Sequence, residues 1–131
     1  MSFLNNEFLW PLRVYYEDTD SGGVVYYANY LKFMERARTE FLRSLGFEQD
    51  QLKQEQGVIF AVHSLSAQYK KPAVFNDELQ VITKITALGK ASLTFEHSIT
   101  RHSDDTLLCD AEVKVACLHA TEFSPAAMPQ E

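Results

Sequence analysis

The stretch that most constrains this chain joins a strand pattern to a helix pattern through an acidic, glycine-containing turn. Aromatic and β-branched side chains predict a first strand over Arg13 to Asp18. The segment Asp18-Thr-Asp-Ser-Gly-Gly23 has the composition of a turn. From Tyr27 onward, apolar residues recur at steps of three and four until Gly46, which predicts one long helix. The domain is therefore expected to be organised around this helix.

The junction between turn and helix brings a carboxylate close to unpaired backbone donors. The first turn of a helix carries free N–H groups and the positive end of the dipole, which can stabilise an oxyanion. Asp20 is the candidate base or nucleophile, with Glu17 and Asp18 nearby as like charges. Spacing alone favours a simpler interpretation, in which Asp18 and Asp20 only form and solvate the turn.

An ordered motif changes that balance. The segments Tyr15-Tyr-Glu-Asp-Thr-Asp-Ser-Gly-Gly-Val-Val-Tyr26, Ala28-Asn-Tyr30 and Glu35-Arg-Ala-Arg38 together resemble the hotdog-fold acyl-CoA thioesterases. The resemblance is to the YbgC-like branch, which is associated with the Tol-Pal system and related to 4-hydroxybenzoyl-CoA thioesterase. It implies an α+β hotdog fold, a five-stranded antiparallel sheet wrapped around one long central helix, in a single domain over residues 1–131.

The resemblance also implies the roles of individual site residues. It places the catalytic carboxylate on Asp20, a supporting tyrosine on Tyr16, and a backbone N–H that binds the thioester carbonyl on Tyr27. Many members of the branch have histidine where this chain has Tyr27, so a mechanism that needs an imidazole there is not supported. The expected substrate-binding residues are Gly22, Gly23, Val24, Val25, Lys70 and Lys90. The two lysines could meet coenzyme A phosphates if subunits bring their loops together, or could simply be solvated.

The reaction that the resemblance implies is hydrolysis of an acyl-CoA thioester to the free acid and coenzyme A, without a metal or redox cofactor. Asp20 could activate water or attack the thioester itself, and both routes stay open. A homodimer, assembled further into a tetramer, is implied as well. The alternative is a non-catalytic acyl-thioester binding or scaffold protein that works with envelope or lipid-synthesis machinery. A hotdog dehydratase is disfavoured because it would need a histidine near the helix start.

Composition limits the other functions open to the chain. A formal charge of −6 over 131 residues, with no basic face in the pattern, argues against binding to nucleic acid or an anionic membrane. No secretory leader or membrane-spanning run is evident, which predicts a cytoplasmic protein. Cys109 and Cys117 lie too far apart on one predicted strand to pair, and are expected to be reduced and buried. The four histidines show no metal-ligand spacing.

The rest of the chain supplies further strands and connectors. A short helical turn is predicted over Gln49 to Gln56. The remaining predicted strands are Val58 to Tyr69, Asp77 to Leu88, Ala91 to Arg101 and Thr106 to His119. An N-terminal segment, Phe3 to Pro11, is expected to pack its aromatic residues against the sheet or a neighbouring subunit. The tail from Thr121 is expected to be extended or frayed.

Overall fold

The computed structural model describes residues 4–129, and Phe3 lies outside this range. The strands of the described part are β1 (Phe8–Arg13), β2 (Val58–Tyr69), β3 (Glu78–Leu88), β4 (Ser92–Arg101) and β5 (Leu107–His119). The helices are α1 (Tyr27–Ser44) and α2 (Gln49–Gln56), with a 3₁₀ turn at Tyr16–Asp18. The strands form one sheet in the order β1-β3-β4-β5-β2, and all neighbours are antiparallel. This is the predicted α+β hotdog architecture.

The prediction for the first strand is wrong. The strand is Phe8–Arg13, upstream of the predicted Arg13 to Asp18, and it pairs with β3 at one edge of the sheet. Pro11 is tolerated there because an edge strand can leave one N–H position unpaired. Downstream, the Asp18 N–H donates to the Tyr15 carbonyl at 3.0 Å, which closes a 3₁₀ turn and ends the extended chain. The Tyr15 N–H in turn donates to Asp18 Oδ2 at 2.9 Å.

The remaining predicted elements are confirmed to within a residue or two. Helix α1 begins at Tyr27 as predicted, and Gly46, in the left-handed region at φ +95°, follows its end. Helix α2 and strand β2 have the predicted bounds, while β3, β4 and β5 each begin one residue later. The described part of the tail is attached to the sheet, because Ala126 donates its N–H to the Cys117 carbonyl.

The core lies between α1 and the inner face of the sheet. On α1 the buried apolar side chains are Tyr30, Phe33, Met34, Ala37, Phe41 and Leu42. On β4 the predicted alternation is confirmed, since Leu93, Phe95, His97 and Ile99 are all buried. At the opposite edge from β1, however, the inner face of β2 is left partly open. This exposed edge strand could pair with a second chain.

Candidate active site

The predicted turn is a tight hairpin loop that leads directly into α1. Thr19 and Val25 form an isolated antiparallel bridge, and the Asp20 N–H donates to the Val24 carbonyl over 2.9 Å. Gly23 closes the loop by donating its N–H to the Asp20 carbonyl at 3.0 Å, with φ at +81°. This left-handed conformation favours glycine. Asp20 is therefore the first residue of this tight turn, in the loop that precedes α1.

The two aspartates of the motif have different surroundings. Asp18 is structural: its carboxylate accepts the Tyr15 N–H, and its carbonyl accepts the Tyr26 N–H and the Asn29 side-chain amide, both at 2.9 Å. The Asp20 carboxylate is exposed to solvent, and its Oδ1 accepts the Gly22 N–H at 2.8 Å. Asp20 thus helps to form the turn and still presents a carboxylate to a substrate.

The loop is held in place by a segment that lies 48 to 50 residues further along the chain. The Val25 N–H donates to the Ala73 carbonyl at 2.9 Å, and Val24 bridges Val74. The Ala73 N–H in turn donates to the phenol oxygen of the buried Tyr30 at 3.0 Å, and burial raises the pKa of Tyr30. This support is not predictable from the residues alone, since no local pattern pairs Ala73 with the motif.

The start of α1 provides backbone donors beside this loop. No side chain within the described residues caps this end of the helix. Its first short bond runs from the Asn29 N–H to the Tyr26 carbonyl at 2.8 Å. The N–H groups of Tyr27 and Ala28 precede that bond and lie at the positive end of the dipole. They can therefore donate to an oxygen that develops negative charge.

The Tyr27 side chain belongs to an aromatic wall. Its ring makes an edge contact with Tyr69 at the end of β2, with centroids 5.9 Å apart, and lies 4.9 Å from Tyr26. Tyr69 also packs against Tyr30 at 5.7 Å. A hydrogen bond with Tyr27 raises the pKa of Tyr26. The ring orientation is set by neighbours, whereas the backbone N–H is set by the helix.

Tyr16 lies beside the loop but is directed towards another aromatic residue. Its ring stacks on Phe75, with centroids 3.7 Å apart and planes 6° from parallel. The hydrogen bonds of Asp20 within the described residues are to Gly22, Gly23 and Val24, and Tyr16 is not among them. The supporting role assigned to Tyr16 stays a prediction, and the stacking indicates that any such role is one of shape.

The two lysines expected to bind phosphate lie at opposite ends of the sheet. Lys70 follows β2, and its N–H donates to Leu108 at the start of β5. Lys90 is in the turn between β3 and β4, and the adjacent Ala91 accepts from Cys117 near the end of β5. Nine residues of strand separate the two sites, roughly 30 Å at about 3.3 Å per residue. Of the two, Lys70 is the one that lies close in sequence to Ala73 and Val74, which contact the Asp20 loop.

The other chemically reactive groups have ordinary surroundings. Cys109 and Cys117 are free and buried, which confirms the prediction for both. Burial raises the pKa of Cys109 to about 11 and also raises the pKa of Cys117, so both thiols stay protonated near neutrality. Within residues 4–129, no cluster of three or more His, Cys, Asp or Glu is arranged to hold a metal. In the same range, no helix has the length and apolar composition that crossing a bilayer needs.

The fold and the loop define the class. A long helix against a five-stranded antiparallel sheet, with an exposed aspartate just before the helix, is the arrangement that the motif predicted for a hotdog-fold thioesterase. Residues 14–131 match the thioesterase-like superfamily, and the chain belongs to that family.

Individual relatives agree with this assignment. The chain is 46% identical to the acyl-CoA thioesterase YbgC of Haemophilus influenzae, over 98% of this chain and 93% of that protein. The crystal structure of a probable thioesterase from Bartonella henselae superposes with a TM-score of 0.88 at 34% identity, covering 94% of this chain and 99% of that one. A 1,4-dihydroxy-2-naphthoyl-CoA thioesterase from Synechocystis gives a TM-score of 0.89 at 25% identity, over 95% of this chain and 91% of that one.

Proposed function

We propose that this protein hydrolyses acyl-CoA thioesters to a free acid and coenzyme A, with Asp20 as the reacting carboxylate. The observation that carries the proposal is the exposed carboxylate of Asp20 in the tight turn of the loop before α1. Its carboxylate is held by the Gly22 N–H and is open to solvent. The names of relatives such as the Haemophilus influenzae acyl-CoA thioesterase support the same reaction class.

Two chemical routes fit this carboxylate. As a general base, Asp20 takes a proton from water while the water oxygen attacks the thioester carbon. The C–S bond then breaks, and the departing thiolate takes the proton back from Asp20. As a nucleophile, an Asp20 oxygen forms a mixed anhydride with the acyl group and expels the thiolate, and water then hydrolyses the anhydride. Neither route needs a metal or a redox cofactor.

The developing oxyanion is assigned to the start of α1. The N–H of Tyr27 is the expected donor, with Ala28 next to it in the same unpaired first turn. Because a backbone group does this work, the change from histidine to tyrosine at position 27 leaves the donor in place. The Tyr27 ring, which contacts Tyr69, would instead narrow the entrance to the proposed thioester site.

Assembly completes the proposed site. The exposed β2 edge would pair with β2 of a second copy to form a homodimer, with a dimer of dimers as the larger assembly. Lys90, which is remote from Asp20 within one chain, could then reach coenzyme A phosphates only from another subunit. A cytoplasmic location and association with Tol-Pal or lipid-synthesis machinery stay predictions from the family resemblance.

Free-thiol release from a panel of short-chain, long-chain and aromatic acyl-CoAs tests the reaction class. Turnover of any member supports the proposal and identifies the preferred acyl group. If no acyl-CoA is hydrolysed although the protein is folded, hydrolysis is wrong, and calorimetric titration with the same thioesters decides whether the protein is an acyl-thioester binding or scaffold protein.

A further inference from the structure

A groove runs along the protein between α1 and the inner face of β2. Near the start of α1, Tyr69 on β2 contacts the rings of Tyr27 and Tyr30. Further along α1, Val62 on the same face of β2 lies across from Arg38. The inner-face side chains Val62, Leu65 and Tyr69 remain 52%, 39% and 45% exposed. We call this the α1–β2 groove, and it leads away from the proposed thioester site.

The far end of the α1–β2 groove opens on a small cavity of about 90 Å³. Phe60, Phe95 and Val115 line it from three different strands, and α1 contributes Glu35, Arg38, Thr39 and Leu42. Arg38 lies eleven residues beyond Tyr27 on α1, about 16 Å along the axis at about 1.5 Å per residue. An extended acyl chain whose thioester lies at Tyr27 could therefore place its far end in this cavity.

Arg38 is a buried cation at this cavity, and its hydrogen-bond partner is not an acid. Arg38 is only 7% exposed, and its Nη1 lies 3.1 Å from His97 Nε2. Burial and the adjacent Arg38 charge lower the pKa of His97 to about 3, so this histidine is neutral. With Nδ1 bonded to Thr83 Oγ1 at 2.9 Å, His97 Nε2 is free to accept from Arg38.

The charge of Arg38 is left without an ion pair. Among residues 4–129, no carboxylate oxygen lies within 4.0 Å of its guanidinium nitrogens. Glu35, one turn earlier, accepts the hydroxyl of Thr39 instead. Burial lowers the pKa of Arg38, and the Glu35 charge only partly opposes this effect. Burying a charge without an opposite charge beside it costs free energy. A negatively charged ligand in the cavity would offset this cost for Arg38.

The remaining Arg38 donors are available to such an occupant. A guanidinium has five N–H groups, and within the described residues Arg38 uses its side chain for the bond to His97. No fully buried side-chain nitrogen or oxygen of these residues lacks a partner, so the other guanidinium nitrogens retain some exposure, and Arg38 borders the cavity. The Glu35 carboxylate also borders the cavity, where it accepts the Thr39 hydroxyl. Apolar side chains beside the Arg38 cation suit an aliphatic chain with an anionic terminus.

We propose that Arg38 determines acyl-group specificity by binding the far end of acyl chains that terminate in a carboxylate. The inference rests on the proposed acyl-CoA hydrolysis and adds the class of acyl group to it. Apolar contacts along the α1–β2 groove would hold the methylene chain, and Arg38 would donate to the terminal carboxylate. His97 positions the guanidinium, and it does so as a neutral acceptor.

The test compares two substrates that differ only at the far end, dodecanedioyl-CoA and dodecanoyl-CoA. The native protein is expected to have a higher kcat/KM for dodecanedioyl-CoA, by about 10-fold to 100-fold, the range of one charge-assisted hydrogen bond. This comparison needs no variant. Equal or lower kcat/KM for the dicarboxylic substrate overturns the inference while leaving hydrolysis intact, whereas inactivity on every acyl-CoA overturns both.

Two variants separate specificity from structure. Arg38→Met removes the charge and keeps the length of the side chain, so the preference for dodecanedioyl-CoA is expected to disappear through a rise in KM. Arg38→Lys keeps the charge and is expected to retain part of the preference. Arg36→Met, an exposed arginine on the same helix, is the matched control and should keep the native ratio.

The ratio of the two substrates distinguishes binding from a merely structural role for Arg38. If Arg38→Met lowers kcat/KM equally for both substrates, Arg38 acts only through the fold, and the inference is wrong. If Arg38→Met does not fold, two other measurements decide between binding and structure. One is the kcat/KM ratio of the two substrates in Arg38→Lys. The other is how strongly free dodecanedioic acid competes with the substrate on the native protein, compared with free dodecanoic acid.

Discussion

The Oδ1 atom of Asp20 lies 2.8 Å from the backbone nitrogen of Gly22, so the candidate catalytic carboxylate is positioned by the loop that carries it. A Cβ added to Gly22 would lie 3.2 Å from that same oxygen, which is closer than ordinary contact. An alanine at position 22 would therefore displace the Asp20 carboxylate by a few tenths of an ångström.

Gly22→Ala is expected to lower kcat by about 10-fold to 100-fold, because a small displacement of a reacting group is costly. Gly23→Ala is the matched comparison. It has open space around its Cβ position but a φ of +81°, so it should lower the free energy of unfolding by about 1–2 kcal/mol. Steady-state kinetics and urea unfolding of both variants check this, and equal kinetic effects would contradict the role of Gly22.

Tyr30→Phe is expected to destabilise the Asp20 loop, because it removes the hydrogen bond that holds the supporting residue Ala73. The phenol accepts the Ala73 N–H, and Ala73 is fully buried, so the variant leaves a backbone donor unpaired. The expected cost is about 1–3 kcal/mol in the free energy of unfolding. Urea denaturation measures it, with Tyr15→Phe as a control for loss of an exposed phenol. Similar losses in both variants would show that the Ala73 bond contributes nothing.

The stability of the fold is expected to fall in acid because of His97. Its pKa is lowered from 6.5 to about 3 in the folded protein, so between these values only the unfolded chain takes up the proton. Stability is independent of this group above about pH 6.5 and decreases as pH falls towards 3, by up to about 1.4 kcal/mol per unit.

Urea unfolding as a function of pH tests the contribution of His97. His97→Gln should flatten the slope between about pH 6.5 and 3, because the variant has no imidazole to protonate. His63→Gln, which removes an exposed histidine of β2, should leave the slope unchanged. An unchanged slope in His97→Gln would mean that other groups cause the acid sensitivity.

Tyr16 is expected to act through its ring and not through its hydroxyl. The ring stacks on Phe75 at 3.7 Å, so Tyr16→Phe should keep activity near that of the parent. Tyr16→Ala removes the stack, which is worth about 0.5–1.5 kcal/mol, and should raise KM by loosening the loop. A large loss of kcat in Tyr16→Phe would instead support a hydrogen bond to Asp20 in the assembled enzyme.

Most of the fold could be predicted because its patterns are local. Apolar residues at steps of three and four predicted α1, and the alternation of apolar and polar residues predicted β4 and β5. The first strand was misplaced because residues 13–18 have the composition of a strand. The chain turns there because the Asp18 N–H bonds to the Tyr15 carbonyl while the Asp18 carboxylate accepts the Tyr15 N–H. Composition contains no information about such a bond.

The candidate site could be predicted only where it is contiguous in sequence. The motif located Asp20 and the start of α1, which are neighbours along the chain. Ala73 and Phe75 come from a distant segment, and their contacts with Val25 and Tyr16 depend on how the strands are ordered. The same strand order separates Lys70 from Lys90, a distance that no residue pattern reveals.

Thiol release by Asp20→Asn tests the central claim most directly. Asparagine can still accept the Gly22 N–H, so the loop should keep its shape while the base or nucleophile is lost. A decrease in kcat of about 10²–10⁴-fold on the preferred acyl-CoA is expected. Glu17→Gln, which removes an exposed charge from the adjacent 3₁₀ turn, should remain near the parent. Full activity in a folded Asp20→Asn protein would contradict the account.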